Sequence, residues 1–538
     1  MFPWLAHGKR KGDDEEELLS YIPLENIEDT RGAASEDSSL RDAITEAEKP
    51  LPRHPSRVIR AAKQALGHLQ FLVPSFLRRS SRVPRNQHQK AWLDGLRGLA
   101  ALLVVFHHSS LVWFSWDLHF AWIPGQPLLL IKLPIIRLFV SGPPQVAVFF
   151  VVSGYAISYK PLRLARQGRF DEVGSTLSSS FFRRHPRLFM PAAVVTFFTA
   201  LITQLDWFAR EGLPGVAEPV REPPHANNLR DQLLHYAWTQ VAVTDPIGQE
   251  HVSSGTGRRV NNPYDPNLWT LPIEFNSSMV IFMFLAAFAR VHNWVRMLFA
   301  LALICYFHGV FRYWGLFLFL GGMFICDLHF ELDRWTSRPA ENPLPDEITF
   351  QPLWVTARQG GFVSRIARRI TSSRVAGRVL GLGFFVLALW LLSMPSTQRG
   401  GREAAGYATI ASWIPDRFGD DLVVPLGAVL LLLIVDRATF LQVLFTNSFS
   451  QYMGKISYSL YMVHGPLLWT LGSALGQKFV ALTGGETNET YTLGIALAAC
   501  VWWPVAIYVA DLTYRCVDSK CVQLSRWVYE KLFKKNDV

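Results

Sequence analysis

The feature that most restricts this chain is a series of apolar runs, each roughly 16–23 residues long, close to what an α-helix needs to cross a bilayer core of about 30 Å. Hydrocarbon offers no water to backbone N–H and C=O groups, so a crossing segment has to satisfy them within itself or in a closed barrel. Barrel strands are shorter and alternate apolar with polar residues, and these runs do not alternate. Half the chain is hydrophobic and only 18% is charged, more apolar than a soluble protein of 538 residues. The expected fold class is therefore an all-α integral membrane protein with about ten transmembrane helices. The candidate spans are 95–115, 144–160, 187–207, 268–290, 294–309, 311–328, 376–394, 421–436, 455–474 and 491–512. The segment 128–141 is too short and too charged for a span and reads as re-entrant or interfacial.

Loop charges orient the spans. Arg163, Arg166, Arg169, Arg183 and Arg184 fall in the connection 161–186, and Arg334, Arg338, Arg358, Arg365, Arg368, Arg369 and Arg374 in 329–375. The C-terminal residues add Arg515, Lys520, Arg526, Lys531, Lys534 and Lys535, whereas 475–490 holds only Lys478. Basic loops stay in the cytoplasm, so both termini are expected there. Arg399, Arg402 and Arg417 in 395–420 run against this pattern. The chain divides into an acidic, disordered tail over 1–55, a basic amphipathic segment over 56–90, a membrane domain over 91–514 and a basic tail over 515–538. No cleavable leader is evident, so the first helix is expected to serve as its own insertion signal. An endomembrane or the plasma membrane is the expected location.

The net charge of +10 fits loops lying beside anionic headgroups. No nucleic-acid-binding motif accompanies it, and nucleic acid is not an expected partner. The five cysteines have no metal-ligand spacing, and no metal site is expected. The sequon Asn488-Glu489-Thr490 falls in an expected outer loop.

Ionisable residues within spans are costly and mark function. Arg97 opens the first span and His108 lies deep inside it, eleven residues on. That is about three turns, or roughly 16 Å, so the two share a face without touching. His107 points about 100° away. A buried neutral imidazole is able to take a proton from a hydroxyl near neutral pH; a packing histidine bonded to a carbonyl is the alternative. Arg97, with Asp94 three residues before it, suits a phosphate or carboxylate, or simply snorkels to the interface. Arg184 and Arg187 stand at i and i+3 and face one direction. Glu274 is a carboxylate inside an apolar run, fit for a catalytic cavity or an ion pair. Ser457, Tyr461 and His464 form one polar stripe at i, i+4 and i+7, which either lines a site or bonds neighbouring helices. Gly465 and Pro466 loosen the helix just after it. Intramembrane histidines and arginines also occur in transporters, so movement of an acyl group, a lipid or a lipid-linked sugar stands as the rival function.

Five segments together resemble a known family. Asp94-Gly-Leu-Arg97 followed by His108, Phe149-Phe-Val-Val-Ser153-Gly-Tyr155, Arg184-His-Pro-Arg187, Leu268-Trp-Thr-Leu-Pro-Ile-Glu274 and Ser457-Tyr-Ser-Leu-Tyr461-Met-Val-His464 are similar, in order, to motifs of the membrane-bound acyltransferase 3 family, the integral-membrane O-acyltransferases. The likeness runs from about residue 90 to 515, and the extended loops and acidic tail look like those of fungal members. It implies acyl transfer from an acyl-CoA, with acetyl-CoA favoured, to a hydroxyl of a glycan, lipid or small molecule, with no resident cofactor. It further implies His108 as general base, Glu274 and His464 in the catalytic cavity, and Arg97, Arg184 and Arg187 on the CoA phosphates. Asp94, Ser153, Ser457 and Tyr461 support the site on this reading.

Overall fold

The computed structural model describes residues 73–75, 90–208, 212–218, 220–245, 262–337, 374–396, 401–414 and 421–533. The elements below belong to one compact unit, Met1–Pro23 with Pro84–Val538; of the other unit, Leu24–Val83, only residues 73–75 are described. The expected tail over 1–55 and nearly all of the amphipathic segment over 56–90 lie outside the described residues. So do Arg338, Arg358, Arg365, Arg368, Arg369, Arg399, Arg417, Lys534 and Lys535.

The fold is all-α and of the multi-pass membrane type. Its helices are α1 (Ala91–Trp113), α2 (Pro143–Arg166), α3 (Phe170–Gln204), α4 (Leu229–Thr244), α5 (Thr270–Phe288), α6 (Asn293–Phe311), α7 (Trp314–Ser337) and α8 (Arg374–Leu392). There follow α9 (Ala408–Trp413), α10 (Val423–Arg437), α11 (Thr439–Thr446), α12 (Ser448–Leu467), α13 (Ser473–Thr483), α14 (Asn488–Thr513) and α15 (Ser519–Leu532). Among the described residues seven helical stretches are long and apolar enough to cross a membrane, or eight if α10 and α11, bent by 102°, form one broken span. Each of the ten apolar runs read from the sequence falls on a helix. Two of those helices, α2 and α12, are not among the seven or eight. They dilute their apolar residues with buried polar groups: Gln145 and Ser158 on α2, and Ser450, Ser457, Ser459 and His464 on α12. The least buried of the candidate spans, α8, does the opposite and leaves Val375, Val379, Leu380, Leu382 and Phe384 exposed, as a lipid-facing helix does.

One connection differs from its sequence reading. The basic stretch 161–186 is mostly helix, because α2 continues to Arg166 and α3 begins at Phe170. At 35 residues α3 is about 50 Å long, more than a bilayer core, and it starts 17 residues before the expected span, so Arg183 and Arg184 lie well within a helix. The segment 128–141 forms two single-turn helices, Leu130–Lys132 and Ile136–Val140. Lys132 pairs with Asp117 at 2.9 Å, and Arg137 donates to the Ser393 carbonyl at 2.8 Å.

The site is set by the seam between α1 and α12. In lipid, apolar burial does little to drive helices together, and close packing through small residues does more. A Cβ added to Gly98 would lie 2.2 Å from the Gly454 nitrogen, and one added to Gly454 would lie 2.4 Å from the Asp94 carbonyl oxygen. The two backbones touch where both side chains are missing. That contact brings residues 360 positions apart in the chain within hydrogen-bonding distance. Beyond Pro466, α12 passes through one π-helical turn, Leu468–Gly472, into α13. Such a turn relaxes the strain of a proline within a helix.

Candidate active site

The site has two levels along α1. At the first, Arg97 donates from Nε to Ser457 Oγ at 3.3 Å and pairs with Asp94 at 3.1 Å. Arg184, from α3, donates to Glu274 Oε1 at 2.8 Å and to Ser278 Oγ at 2.9 Å, both on α5. Arg187, one turn along α3, lies within electrostatic reach of Arg97, Arg184 and Glu274, and Arg97 and Arg184 are within reach of each other. Three arginines from two helices therefore converge on one region, together with the carboxylates of Asp94 and Glu274. Their planar, permanently charged forks suit phosphate or carboxylate oxygens.

At the second level, about three turns deeper, the His108 and His464 rings face each other with centroids 5.1 Å apart and planes tilted by 41°. His464 is fully buried. Its Nδ1 lies 2.6 Å from the Tyr461 carbonyl oxygen, and its Nε2 lies 3.4 Å from Asn267 Nδ2. The Tyr461 hydroxyl donates to the Asn267 carbonyl and sits 2.7 Å from Thr270 Oγ1. His108 is half-buried, and it is the imidazole of the pair whose ring nitrogens are left without a hydrogen bond among the described residues. His107 turns away, with its Nδ1 2.8 Å from the Val140 carbonyl oxygen and its ring against Gly142, where it fixes the approach to α2.

The structure thus gathers Arg97, Arg184, Arg187, Glu274, Asp94 and Ser457 at one level and His108, His464 and Tyr461 at the other. Glu274 meets an arginine and not a histidine. No hydrogen bond or ion pair among the described residues ties Ser153 to either level; it is half-buried on α2. The stretch Asn262–Thr270 supplies groups that the sequence reading passed over, namely Asp265, Asn267 and Thr270. Asp265 is fully buried, caps the short helix Pro266–Trp269 and accepts from the Asn267 N–H at 3.1 Å. Burial pushes its carboxyl well above the usual carboxylate range, against the opposing pull of that N–H and of Arg221. The order Asp-Pro-Asn just before an apolar run is a helix-start signal and was the available clue to this turn.

Residues 90–509 match the family described as an acyltransferase domain. The chain belongs to the membrane-bound acyltransferase 3 family. It is similar to the O-acetyltransferase PaAT-1 of Phomopsis amygdali, 48% identical over 503 residues that cover 93% of this chain and 94% of that protein. It is also similar to the acyltransferase R4 of a Phoma species and the acyltransferase clz18 of Cochliobolus lunatus, at 21% and 22% identity over 82% of this chain and 96% of each relative. No solved structure matches. This acyltransferase 3 member is an enzyme that carries an acyl group from acyl-CoA to an acceptor hydroxyl, which decides between the two functions left open by the residues alone.

Proposed function

We propose that this enzyme is an acetyl-CoA-dependent O-acetyltransferase whose donor and acceptor meet beside His108. The observation that carries this reading is the two-level arrangement on α1, with converging arginines at one level and an unengaged imidazole about 16 Å further along the helix. The extended pantetheine arm of the donor suits that separation. Arg97, Arg184 and Arg187 hold the CoA phosphates on the cytoplasmic side, with Asp94 and Ser457 orienting Arg97 and Glu274 orienting Arg184. Ten spans with both termini in the cytoplasm put that level at the inner face. On this topology 91–514 is the catalytic domain, and 515–538 is a cytoplasmic extension of the last span. The host membrane is an endomembrane or the plasma membrane. The 48% identity to a protein named as an O-acetyltransferase favours acetyl as the group carried.

In the reaction, His108 takes the proton of the acceptor hydroxyl as its oxygen attacks the thioester carbonyl. The tetrahedral intermediate collapses with cleavage of the C–S bond, and the leaving CoA sulfur takes the proton back. His464, held from both ring nitrogens, lines the chamber and positions His108. A hydroxyl of a glycan, lipid or small molecule is the acceptor. The test uses membranes containing the protein, labelled acetyl-CoA and a cell extract as the acceptor pool. His108→Ala is expected to lower label transfer by about 10²–10⁴-fold, and mass spectrometry should find an acetylated product only with wild type. Undiminished transfer by the variant would overturn the assignment, and equal use of long-chain acyl-CoA would overturn the acetyl preference.

A further inference from the structure

The turn leading into α5 bears directly on the imidazole pair. Asp265 is fully buried, and its two carboxyl oxygens differ. Oδ1 accepts from the Asn267 N–H at 3.1 Å, while Oδ2 is buried with no hydrogen-bond partner among the described residues. An unpaired buried oxygen opposes folding, and a leucine would fill this position without that penalty. What Oδ1 holds in place is therefore the clue to why a carboxyl stands here. Asn267 touches the stripe on α12 twice: its carbonyl receives the Tyr461 hydroxyl, and its Nδ2 faces His464 Nε2 at 3.4 Å. On the other side of the ring, His464 Nδ1 lies 2.6 Å from the Tyr461 carbonyl oxygen and 3.2 Å from that of Leu460. A nitrogen facing two carbonyl oxygens carries the proton, so in the neutral ring Nε2 is the acceptor and the Asn267 amide N–H is its donor. The fit is close. A Cβ on Gly465 would lie 2.7 Å from Asn267 Nδ2 and 2.9 Å from Asp265 Oδ1, so the turn presses on α12 where a side chain is missing.

We propose that Asp265 is a positioning residue for acyl transfer: through Asn267 it locks His464 as the neutral Nδ1–H tautomer, which leaves His108 as the imidazole of the facing pair that takes the acceptor's proton. This rests on the reading of His108 as general base. With its Nε2 engaged, His464 does not compete for the hydroxyl proton, and its ring stays fixed beside His108. Release of the clamp lets the ring rotate and its Nε2 lone pair face the chamber. Misplacement of that kind lowers turnover and leaves the distant arginine level intact.

The test compares Asn267→Ala, Asp265→Ala, Asp265→Asn and His108→Ala in membranes, with label transfer followed against acetyl-CoA concentration and one cell extract as the fixed acceptor pool. Gel filtration in detergent checks folding. Asn267→Ala and Asp265→Ala are expected to lower apparent kcat by about 10–100-fold, with the acetyl-CoA KM unchanged. Asp265→Asn keeps a side-chain oxygen for the Asn267 N–H and is expected to recover most of the wild-type rate. The proposal is overturned if folded Asn267→Ala keeps its kcat, if the change falls on the donor KM, or if Asp265→Asn is as impaired as Asp265→Ala. Should Asp265→Ala fail to fold, Asn267→Ala and Asp265→Asn decide. Full activity in His108→Ala would instead sink the general-base reading, a result distinct from failure of the clamp.

Discussion

Two clusters of charge in this bundle are built on different plans. Around α7, Asp327 is gripped by Arg166 at 2.6 Å and by Arg296 at 2.7 Å, and Glu331 adds a second bond to Arg166 at 2.7 Å. On the same helix, His329 bridges toward Asp436, which also receives the Tyr155 hydroxyl at 2.9 Å and pairs with Lys90 at 3.7 Å; Arg437 pairs with Asp333 at 2.8 Å. Four cations meet four carboxylates there, each within salt-bridge distance of an opposite charge. At the α1–α3 level the pairs are one to one, Arg97 with Asp94 at 3.1 Å and Arg184 with Glu274 at 2.8 Å, and Arg187 stands within electrostatic reach of both arginines. A carboxylate shared by two guanidiniums is a clamp between helices, whereas arginines brought within reach of one another suit an anion between them. Burial of arginine alone therefore does not identify a donor site.

Three substitutions probe this contrast. The largest expected effect is that of Asp327→Ala, which strands the Arg296 guanidinium in a buried setting, leaves Arg166 with Glu331 alone and should destabilise the protein by about 3–5 kcal/mol, read as a lower unfolding temperature in detergent. If that variant kept full stability, the α7 cluster would not be a clamp. Next is Arg187→Gln, expected to raise the acetyl-CoA KM about tenfold, near 1.4 kcal/mol, with kcat and unfolding temperature little changed. A fall in stability without a KM effect would place Arg187 with the structural arginines. The smallest change is expected from Arg437→Ala. Its pair with Asp333 is about a third to a half exposed, and its loss should cost under about 1 kcal/mol; a larger loss would extend the clamp to the surface.

The limits of sequence reading follow the same physics. Apolar runs specify helices because backbone bonding in hydrocarbon is local, and every run located a helix. Arg97 and His108 were legible as a pair because both sit on one helix whose pitch is known. The stripe Ser457, Tyr461 and His464 was legible for the same reason, and its partners divide along it as the helix face dictates. The extension of α3 back to Phe170 was not, since a polar, basic stretch reads as a loop whether or not it is wound. Glu274 was recognised as a polar group in an apolar setting, yet its partner was not, because Arg184 lies 90 residues earlier in the chain.

By itself the sequence determined the all-α membrane architecture, the family, and the residues on α1 and α12 that share a face. These depend on periodicity and on the cost of charge in hydrocarbon, both properties of short segments. Only the tertiary structure decided which imidazole is engaged and which is not. That choice depends on Asn267, which stands 197 residues before His464 and meets it through a turn pressed against Gly465. A hydrogen bond between distant residues exists only once the backbones have packed, and no spacing within either segment encodes it.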